Sequence, residues 1–564
     1  MRKLLISALL ALAGSLSALF TGLAPATAEE LRIGISQYPT TLHPSTEASV
    51  AKSYVHSMTQ RPMTVYDHQW ELICMLCTEL PSIEAGTAFP EDLPPEVEGA
   101  GDGRGIALHY TIQPGATWGD GTPVSTRDVM FTWKSGRHPS AGTGNLELNK
   151  RIHAIDVIDD KTFVIHYDRI SFEYAGINDF RLLPAHIEEP IFDAAPEDYR
   201  NRTAYDTDPT NRGLYFGPYR IAEAVPGSRL VLERNDTWWG KRPVFDRITI
   251  LTIEQTTALE ANLLSGNIDM IAGELGLTLD QALAFEKRHG ERYQVVYEPS
   301  LLYEHIDLML DNPILEDKRV RQALVYAIDR ETISQRLFEG RQPVAHSSVS
   351  PLDWVYNEDV QIYPYDPAKA AELLDAAGWN ALRGGIRHNA EGNPLQLEFM
   401  TTAGSRIREL VQQVLQSQWK QVGIDVRVRN EPPRVFFGQT VHERRFTGLA
   451  MFGWGKGPEH IPRTTLHSEE IPTAANGWSG QNYTGYKNDE MDALIEKINL
   501  EIDRPMRKAM WDRLQEIYAE EVPVIGLFWR ANPYILPTWL KGLRPTGQMA
   551  PSSLWVEDWT VEGR

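Results

Sequence analysis

Between Leu395 and Trp454 the apolar residues change their spacing repeatedly, and this alternation limits the fold more than any other feature of the chain. "LQLEF" (Leu395 to Phe399) alternates apolar and polar, the period of a strand. From Glu409 to Val422, Leu410, Val411, Val414, Leu415 and Trp419 fall on one helical stripe, and Gly423 stops it. "IDVRV" (Ile424 to Val428) alternates again, a second helix is expected around Val435 to His442, and "GLAMF" (Gly448 to Phe452) closes the run. A β-α-β-α-β order implies parallel strands joined by right-handed crossovers, hence an α/β fold. In such sheets ligands bind beyond the carboxyl ends of the strands. The stretch "MFGWGKGPEH" (Met451 to His460) follows such an end. Gly453, Gly455 and Gly457 would let backbone approach a ligand, and Trp454 offers a flat apolar face; a surface turn with a core tryptophan is the other reading.

Elsewhere "LRIGIS" (Leu31 to Ser36) alternates as a strand and runs into a Tyr38-Pro39 loop. Ser125 and Asp128 have the spacing of a capping box and should start the helix "TRDVMFTWKS". Val320, Ala323, Leu324, Ala327 and Ile328 form another apolar stripe. "DPAKAAELLDAAGW" (Asp366 to Trp379) reads as a helix ended by Gly378.

Several function classes are disfavoured. Arg2 and Lys3, an apolar stretch from Leu4 to Phe20 and Ala26-Thr27-Ala28 have the build of a secretory signal peptide, with Glu29 as the expected first mature residue. Its removal takes Arg2 and Lys3 from the 55 basic side chains and leaves 53 against 76 acidic ones, a formal charge near -23. That balance argues against nucleic acid and anionic lipid as partners. Cys74 and Cys77 are the only cysteines, and in an oxidising compartment a local disulfide is the default reading, with a free pair as the alternative. Enzyme motifs are incomplete. "GWSGQ" (Gly477 to Gln481) lacks the last glycine of a nucleophile elbow, "GWGKGP" lacks phosphate-loop spacing, and "HERR" and "HIEEP" lack a second histidine. Fifteen scattered histidines argue against a resident metal, although His43, His305 or His346 could converge in space. No cofactor is implied.

The segments "WGDGTPVSTRDVMFTW" (Trp118 to Trp133), "LLPAHI" (Leu182 to Ile187), "GPYRIAEAVPGSRLVLERNDTWWGKRPVFDRI" (Gly217 to Ile248), "LLSGNIDMI" (Leu263 to Ile271), "VRQALVYAIDRETI" (Val320 to Ile333) and "NYTGYKNDEMDALI" (Asn482 to Ile495) follow one another behind that signal peptide. In this order the chain resembles the extracellular solute-binding proteins of family 5, the peptide- and nickel-binding receptors of ABC importers, over essentially its mature length. The resemblance implies a periplasmic binding protein type II-like fold: two lobes with parallel-rich sheets, closing over a ligand on a two-segment hinge. The hinge candidates are Val295 to Leu308 and Glu521 to Leu536. Residues 1–28 would be the signal peptide, 29–70, 208–298 and 533–564 the core of lobe one, 71–207 an extra subdomain of lobe one, and 299–532 lobe two.

The implied function is a periplasmic receptor that captures a peptide or peptide-like solute and delivers it, as a monomer, to an ABC permease; a receptor for an oligosaccharide or metal chelate is the alternative. No catalysis and no bound metal are implied. Expected ligand contacts are Tyr38, Trp454, Lys456, Arg463 and Trp478, a basic and aromatic set suited to a carboxylate-bearing ligand, with Asn482 as an amide handle. In peptide-binding relatives an aspartate three residues after the loop tryptophan pairs with the ligand's α-ammonium. Gly457 stands there in this chain, with Glu459 as a possible replacement for the charge. The family's Thr-Gly-Pro-Tyr likewise departs to Phe216-Gly217-Pro218-Tyr219.

Overall fold

A computed structural model describes residues 30–46, 49–97, 103–138, 146–476, 478, 480–547 and 550–563. The expected signal peptide, residues 1–28, lies outside the described residues.

The alternating segments form a ten-stranded sheet. In spatial order its strands are Asp425–Val428, Gln396–Thr401, Leu449–Gly455, Tyr293–Leu308, Val524–Pro537, Met270–Ile271, Glu30–Ile35, Arg247–Thr252, Arg229–Arg234 and Tyr219–Val225. The β-α-β-α-β run folds as its periodicity predicts, with Gln396–Thr401 parallel to both Asp425–Val428 and Leu449–Gly455. The helix between the first two strands spans Arg406–Gln421 and buries Val411, Leu415 and Trp419, while Leu410 stays exposed. Trp419 is fully enclosed, and its Nε1 donates to the Leu324 carbonyl at 2.9 Å. Truncating such a buried tryptophan costs about 3–5 kcal/mol. The second expected helix is a short α-turn, Pro433–Val435, followed by a wider-wound π-helical turn, Phe436–Val441. The last strand runs past Phe452 to Gly455, so Gly453, Trp454 and Gly455 belong to the sheet and not to a loop beyond it.

Glu30–Ile35 is parallel to Arg247–Thr252 and Met270–Ile271, so each half of the sheet has parallel strands. The centre is antiparallel, so the sheet as a whole is mixed. Tyr293–Leu308 pairs antiparallel with both Leu449–Gly455 and Val524–Pro537. Each of these two long strands runs through both halves of the sheet and so joins them. Each contributes to both lobes. Ile306, Leu308, Ile525 and Phe528 pack in one core with Leu397, Phe399 and Leu449. Val296, Tyr534 and Leu536 pack on the other, with Leu31, Ile33, Leu232 and Ile248.

The ladder between the two long strands is interrupted where it passes between the cores. Pairing stops at Pro299–Ala531 and resumes at Tyr303–Trp529, so Ser300, Leu301 and Leu302 stand against Arg530 alone. Their polar groups find other partners: Ser300 Oγ donates to the Arg530 carbonyl at 3.0 Å, and Leu301 N donates to the Gly547 carbonyl at 2.8 Å.

A third core surrounds an antiparallel four-stranded sheet, ordered Ala88–Asp92, Arg104–Thr111, Thr162–Tyr167, Ile152–Val157, with Ile106, Leu108, Phe163 and Trp118 buried. The capping-box aspartate fixes its adjoining helix, Thr126–Gly136: Asp128 accepts from Ser125 N at 2.8 Å, Trp118 Nε1 at 3.1 Å and Ala185 N at 2.8 Å. Cys74 and Cys77 form a disulfide at its margin. This subdomain touches the far lobe, where Phe172 N donates to the Asn499 carbonyl at 3.2 Å and the Arg507 guanidinium lies 4.6 Å from the Phe172 ring centre.

Candidate ligand-binding site

The carboxyl ends of parallel strands from both lobes converge on one cavity of about 470 Å³. Ser36 and Gln37 follow Glu30–Ile35, the segment from Gly273 to Asp280 follows Met270–Ile271, and Ser405 and Arg408 follow Gln396–Thr401. The long central strands supply the floor through Glu304, Phe528 and Arg530 to Pro533. The volume lies within the range of small-solute sites, about 300–1,000 Å³.

Glu304, Arg408 and Arg530 form the electrostatic centre of this cavity. Glu304 is buried and accepts from Arg408 Nε, from Arg530 Nε at 3.0 Å and from Arg530 Nη2 at 2.7 Å. Burial by itself raises the Glu304 carboxyl, but the Arg530 and Arg408 guanidiniums overcome it and hold the group below the ordinary carboxylate range. Arg408 also donates from Nη1 to Thr402 Oγ1 at 2.9 Å. Within this trio two guanidiniums face one carboxylate, while Glu274 and Asp280 line the cavity elsewhere. Ser405 is the N-cap of Arg406–Gln421 and makes no side-chain cap bond, so the positive end of that helix adds to the field. Gly453 makes the arrangement possible: a Cβ there would lie 3.1 Å from Glu304 Oε2 and 3.4 Å from Arg530 Cζ. Guanidiniums at a cavity wall are the groups that pair with carboxylates in two-point hydrogen bonds, and the carboxylates of Glu274 and Asp280 are acceptors for donors on the opposite side of a solute.

The expected contact residues are only partly gathered. Because strand side chains alternate, Trp454 stands on the sheet face opposite to Gly453 and Glu304, beside its register partner Tyr303. There Trp454 and Lys456 line a pocket of about 20 Å³ with His305, Asp307 and Tyr483, room for about one water. The Lys456 ammonium turns inward, donates to the Ser348 carbonyl at 2.9 Å and sits 4.9 Å from the Tyr303 ring centre. Burial pushes its pKa down to about 7, partly opposed by Asp353. Tyr38 is half-buried and packs on the first core, just past the cavity residues Ser36 and Gln37.

Asn482 has a different role from the one its type suggests. It is fully buried, and its amide donates to the His467 and Tyr486 carbonyls at 3.0 and 2.8 Å while accepting from Thr484 Oγ1 at 2.9 Å and Tyr486 N at 3.1 Å. With its bonding capacity spent on the loop, nothing is left for a ligand. Arg463 is held by Glu469 at 3.1 Å, by Glu470 at 3.5 Å and by Glu496, outside the lining of both cavities. Trp478 occupies a left-handed turn (φ 64°) that is also outside both linings. Glu459 cannot replace the missing aspartate: it is buried, paired with Arg507 and bonded by Trp354 Nε1 at 3.0 Å. His43, His305 and His346 do not converge. His43 meets Tyr199, His305 meets Asp307, and His346 lines a separate pocket beside Arg330.

Sequence reasoning missed Glu304, Arg408 and Arg530, although two signals pointed to them. Arg530 is a charge inside an otherwise apolar strand segment, Glu304 lies among Leu302, Tyr303 and Ile306 in another, and burying either demands partners. Arg408 lies in a first helical turn, where a cation opposes the macrodipole unless a carboxylate compensates.

Comparison with known proteins is consistent with this architecture. The oligopeptide-binding protein AppA of Bacillus subtilis (strain 168) is 25% identical over 452 residues, 78% of each chain. OppA of Mycobacterium bovis, also an oligopeptide-binding protein, is 29% identical over 424 residues, 73% of this chain and 67% of its own. The crystal structure of the oligopeptide binding protein from Thermus thermophilus, complexed with a pentapeptide, superposes with a TM-score of 0.70 at 27% identity, covering 94% of this chain and 96% of that one. A sequence model of the bacterial extracellular solute-binding proteins, family 5 Middle, matches residues 103–466. A match over more than half of the chain, on two lobes that meet around a charged cavity, establishes that the protein belongs to the bacterial extracellular solute-binding proteins of family 5.

Proposed function

We propose that the chain is the substrate-binding receptor of an ABC importer, and that it captures a peptide or peptide-like solute between its lobes and delivers it to a membrane permease. The observation that carries this reading is the interlobe cavity with its Glu304–Arg408–Arg530 centre, placed where the long central strands lose their pairing. The relatives named above are oligopeptide-binding proteins, one of them holding a pentapeptide, which supports a peptide as the solute class. Five charged side chains, Glu274, Asp280, Glu304, Arg408 and Arg530, and only two aromatic ones, Phe338 and Phe528, line the cavity. That lining suits hydrogen bonding to a peptide's carboxylate and backbone better than stacking on an oligosaccharide.

In this reading the protein is a monomeric, non-enzymatic periplasmic receptor released by cleavage before Glu29. Lobe one comprises 29–70, 208–298 and 533–564, with the subdomain 71–207, and lobe two comprises 299–532. Among the described residues no helix is long and apolar enough to cross a membrane. Trp454 and Lys456 sit against the central strands, where they would report or adjust closure. The break at Ser300 to Leu302 is the flexing point. A ligand touching both lobes stabilises only the closed state. Small-angle scattering of ligand-stripped protein should therefore show a larger radius of gyration that falls on adding a peptide pool. An unchanged radius at saturation, with binding verified by calorimetry, would rule out a hinged trap.

A further inference from the structure

We infer that the four-stranded sheet of the subdomain carries a binding site for a late first-row divalent metal ion, formed by Glu91, His153 and His166. The backbone brings these residues together by two local devices. Glu91 is on the edge strand Ala88–Asp92 and His166 is two strands away on Thr162–Tyr167. On the strand between them, their register partners are Gly105 and Ala107. These small residues leave the face open, so the Glu91 carboxylate crosses the intervening strand and its Oε1 lies 2.8 Å from His166 Nδ1. On the far side the ladder slips between Ile152 and Ala154, which leaves His153 as the extra residue of a bulge. Bulges re-aim a side chain, and here His153 comes to the same face, with Nε2 3.8 Å from Glu91 Oε1.

Donor chemistry points to a metal more than to a structural hydrogen-bond cluster. Glu91 Oε1, one nitrogen of His153 and one of His166 lie within 4.8 Å of one another. Ligands at about 2.0–2.2 Å from zinc stand about 3.4 Å apart in a tetrahedron, so small ring rotations suffice. His153 Nε2 is shielded from solvent and has no hydrogen-bond partner. A buried ring nitrogen in that state is costly, and a metal ion is the partner its position fits. His166 has a second asset: its Nε2 is 3.4 Å from Asp156 Oδ2. With Nδ1 on the metal, the imidazole proton resides on Nε2 and is donated to Asp156, the carboxylate–histidine–metal arrangement that orients a ligand ring. Glu91 and Asp156 together balance a dication. Imidazole donors select zinc, nickel or copper over magnesium or calcium, and three protein ligands leave a position for water. Bound there, the ion would tie three strands of the subdomain together. This site is separate from the interlobe cavity and stands whether or not the solute is a peptide.

The test uses the untagged mature chain, stripped with a chelator and then titrated with Zn2+ alone by calorimetry, with Co2+ as an optical reporter. One equivalent of Zn2+ should bind and raise the melting temperature, and Co2+ should give the visible bands of a low-coordinate N,O site. His153→Ala and Glu91→Gln should abolish the Co2+ bands with circular dichroism unchanged. Should His153→Ala misfold, His153→Gln replaces it. Asp156→Asn should keep the bands and weaken Zn2+ roughly ten- to hundredfold, as loss of an orienting partner does. Absence of Co2+ bands in the wild type, or equal Zn2+ affinity in wild type and both His153 and Glu91 variants, would overturn the assignment.

Discussion

Replacing Arg530 by methionine separates the ligand-binding role of the charged trio from its structural role. Arg530 commits Nε and Nη2 to Glu304, and its side chain is one-third exposed at the cavity wall, whereas Arg408 is more enclosed. Glu304 keeps Arg408 in the variant, so no carboxylate is left unpaired. Because the Arg530 end of the pair is one-third exposed and Glu304 keeps its Arg408 partner, the cost to folding should be about 1 kcal/mol. The ligand loses more. Two unit charges about 4 Å apart attract by about 4 kcal/mol at an effective dielectric constant of 20, before desolvation is subtracted. A charge-assisted hydrogen bond nets about 1.5–3 kcal/mol, and partial exposure places this one toward the lower end. That corresponds to roughly tenfold, rising toward a hundredfold, in affinity. The assay is calorimetry on ligand-stripped protein with a defined pentapeptide and its carboxy-terminal amide. The wild type should prefer the carboxylate by about that factor, and Arg530→Met should bind both forms alike. If the wild type bound amide and acid equally, or if Arg530→Met weakened both to the same extent, the Arg530 guanidinium would not be what the ligand reads.

Other perturbations have distinct signatures. Asn482→Ala removes a buried amide making four hydrogen bonds, so it should cost about 2–4 kcal/mol in urea unfolding while leaving affinity unchanged; a selective loss of binding would restore the amide to the ligand site. Gly457→Asp is sterically free, since a Cβ there meets nothing within 4 Å. If the ligand lies as in peptide-binding relatives, the variant should gain a roughly tenfold preference for free over N-acetylated peptides, and no change in that ratio would place the amino terminus elsewhere. Glu304 has its carboxyl held below the ordinary value of 4.5, so its contribution is present above pH 4.5 and is lost as pH falls through the lower folded-state value. Glu304→Gln should therefore be less stable at pH 7, by about 3 kcal/mol for a broken buried pair, and should lose less on acidification below pH 4.5. Parallel denaturation curves at every pH would contradict this.

Periodicity alone determined the local elements. The alternating and helical stripes from Leu395 to Phe452 gave parallel strands and a helix in the expected places, because side-chain spacing and backbone period are linked within each element. Asp366 caps its helix through Lys369 N, and Ser125 and Asp128 start theirs, since caps depend on residues a few positions apart. What the tertiary structure decided is which face of each strand meets the cavity. Trp454 and Gly453 are neighbours in sequence, yet one faces a small pocket and the other the interlobe cavity, because adjacent strand residues point to opposite sides. Asn482 was legible as a polar residue but not as a saturated one, since its partners are set by how the loop from His467 to Tyr486 closes on itself. The Glu304–Arg408–Arg530 centre joins residues up to 226 positions apart. No local period records such a meeting; only the paired central strands, and the helix that begins beside them, bring those charges together.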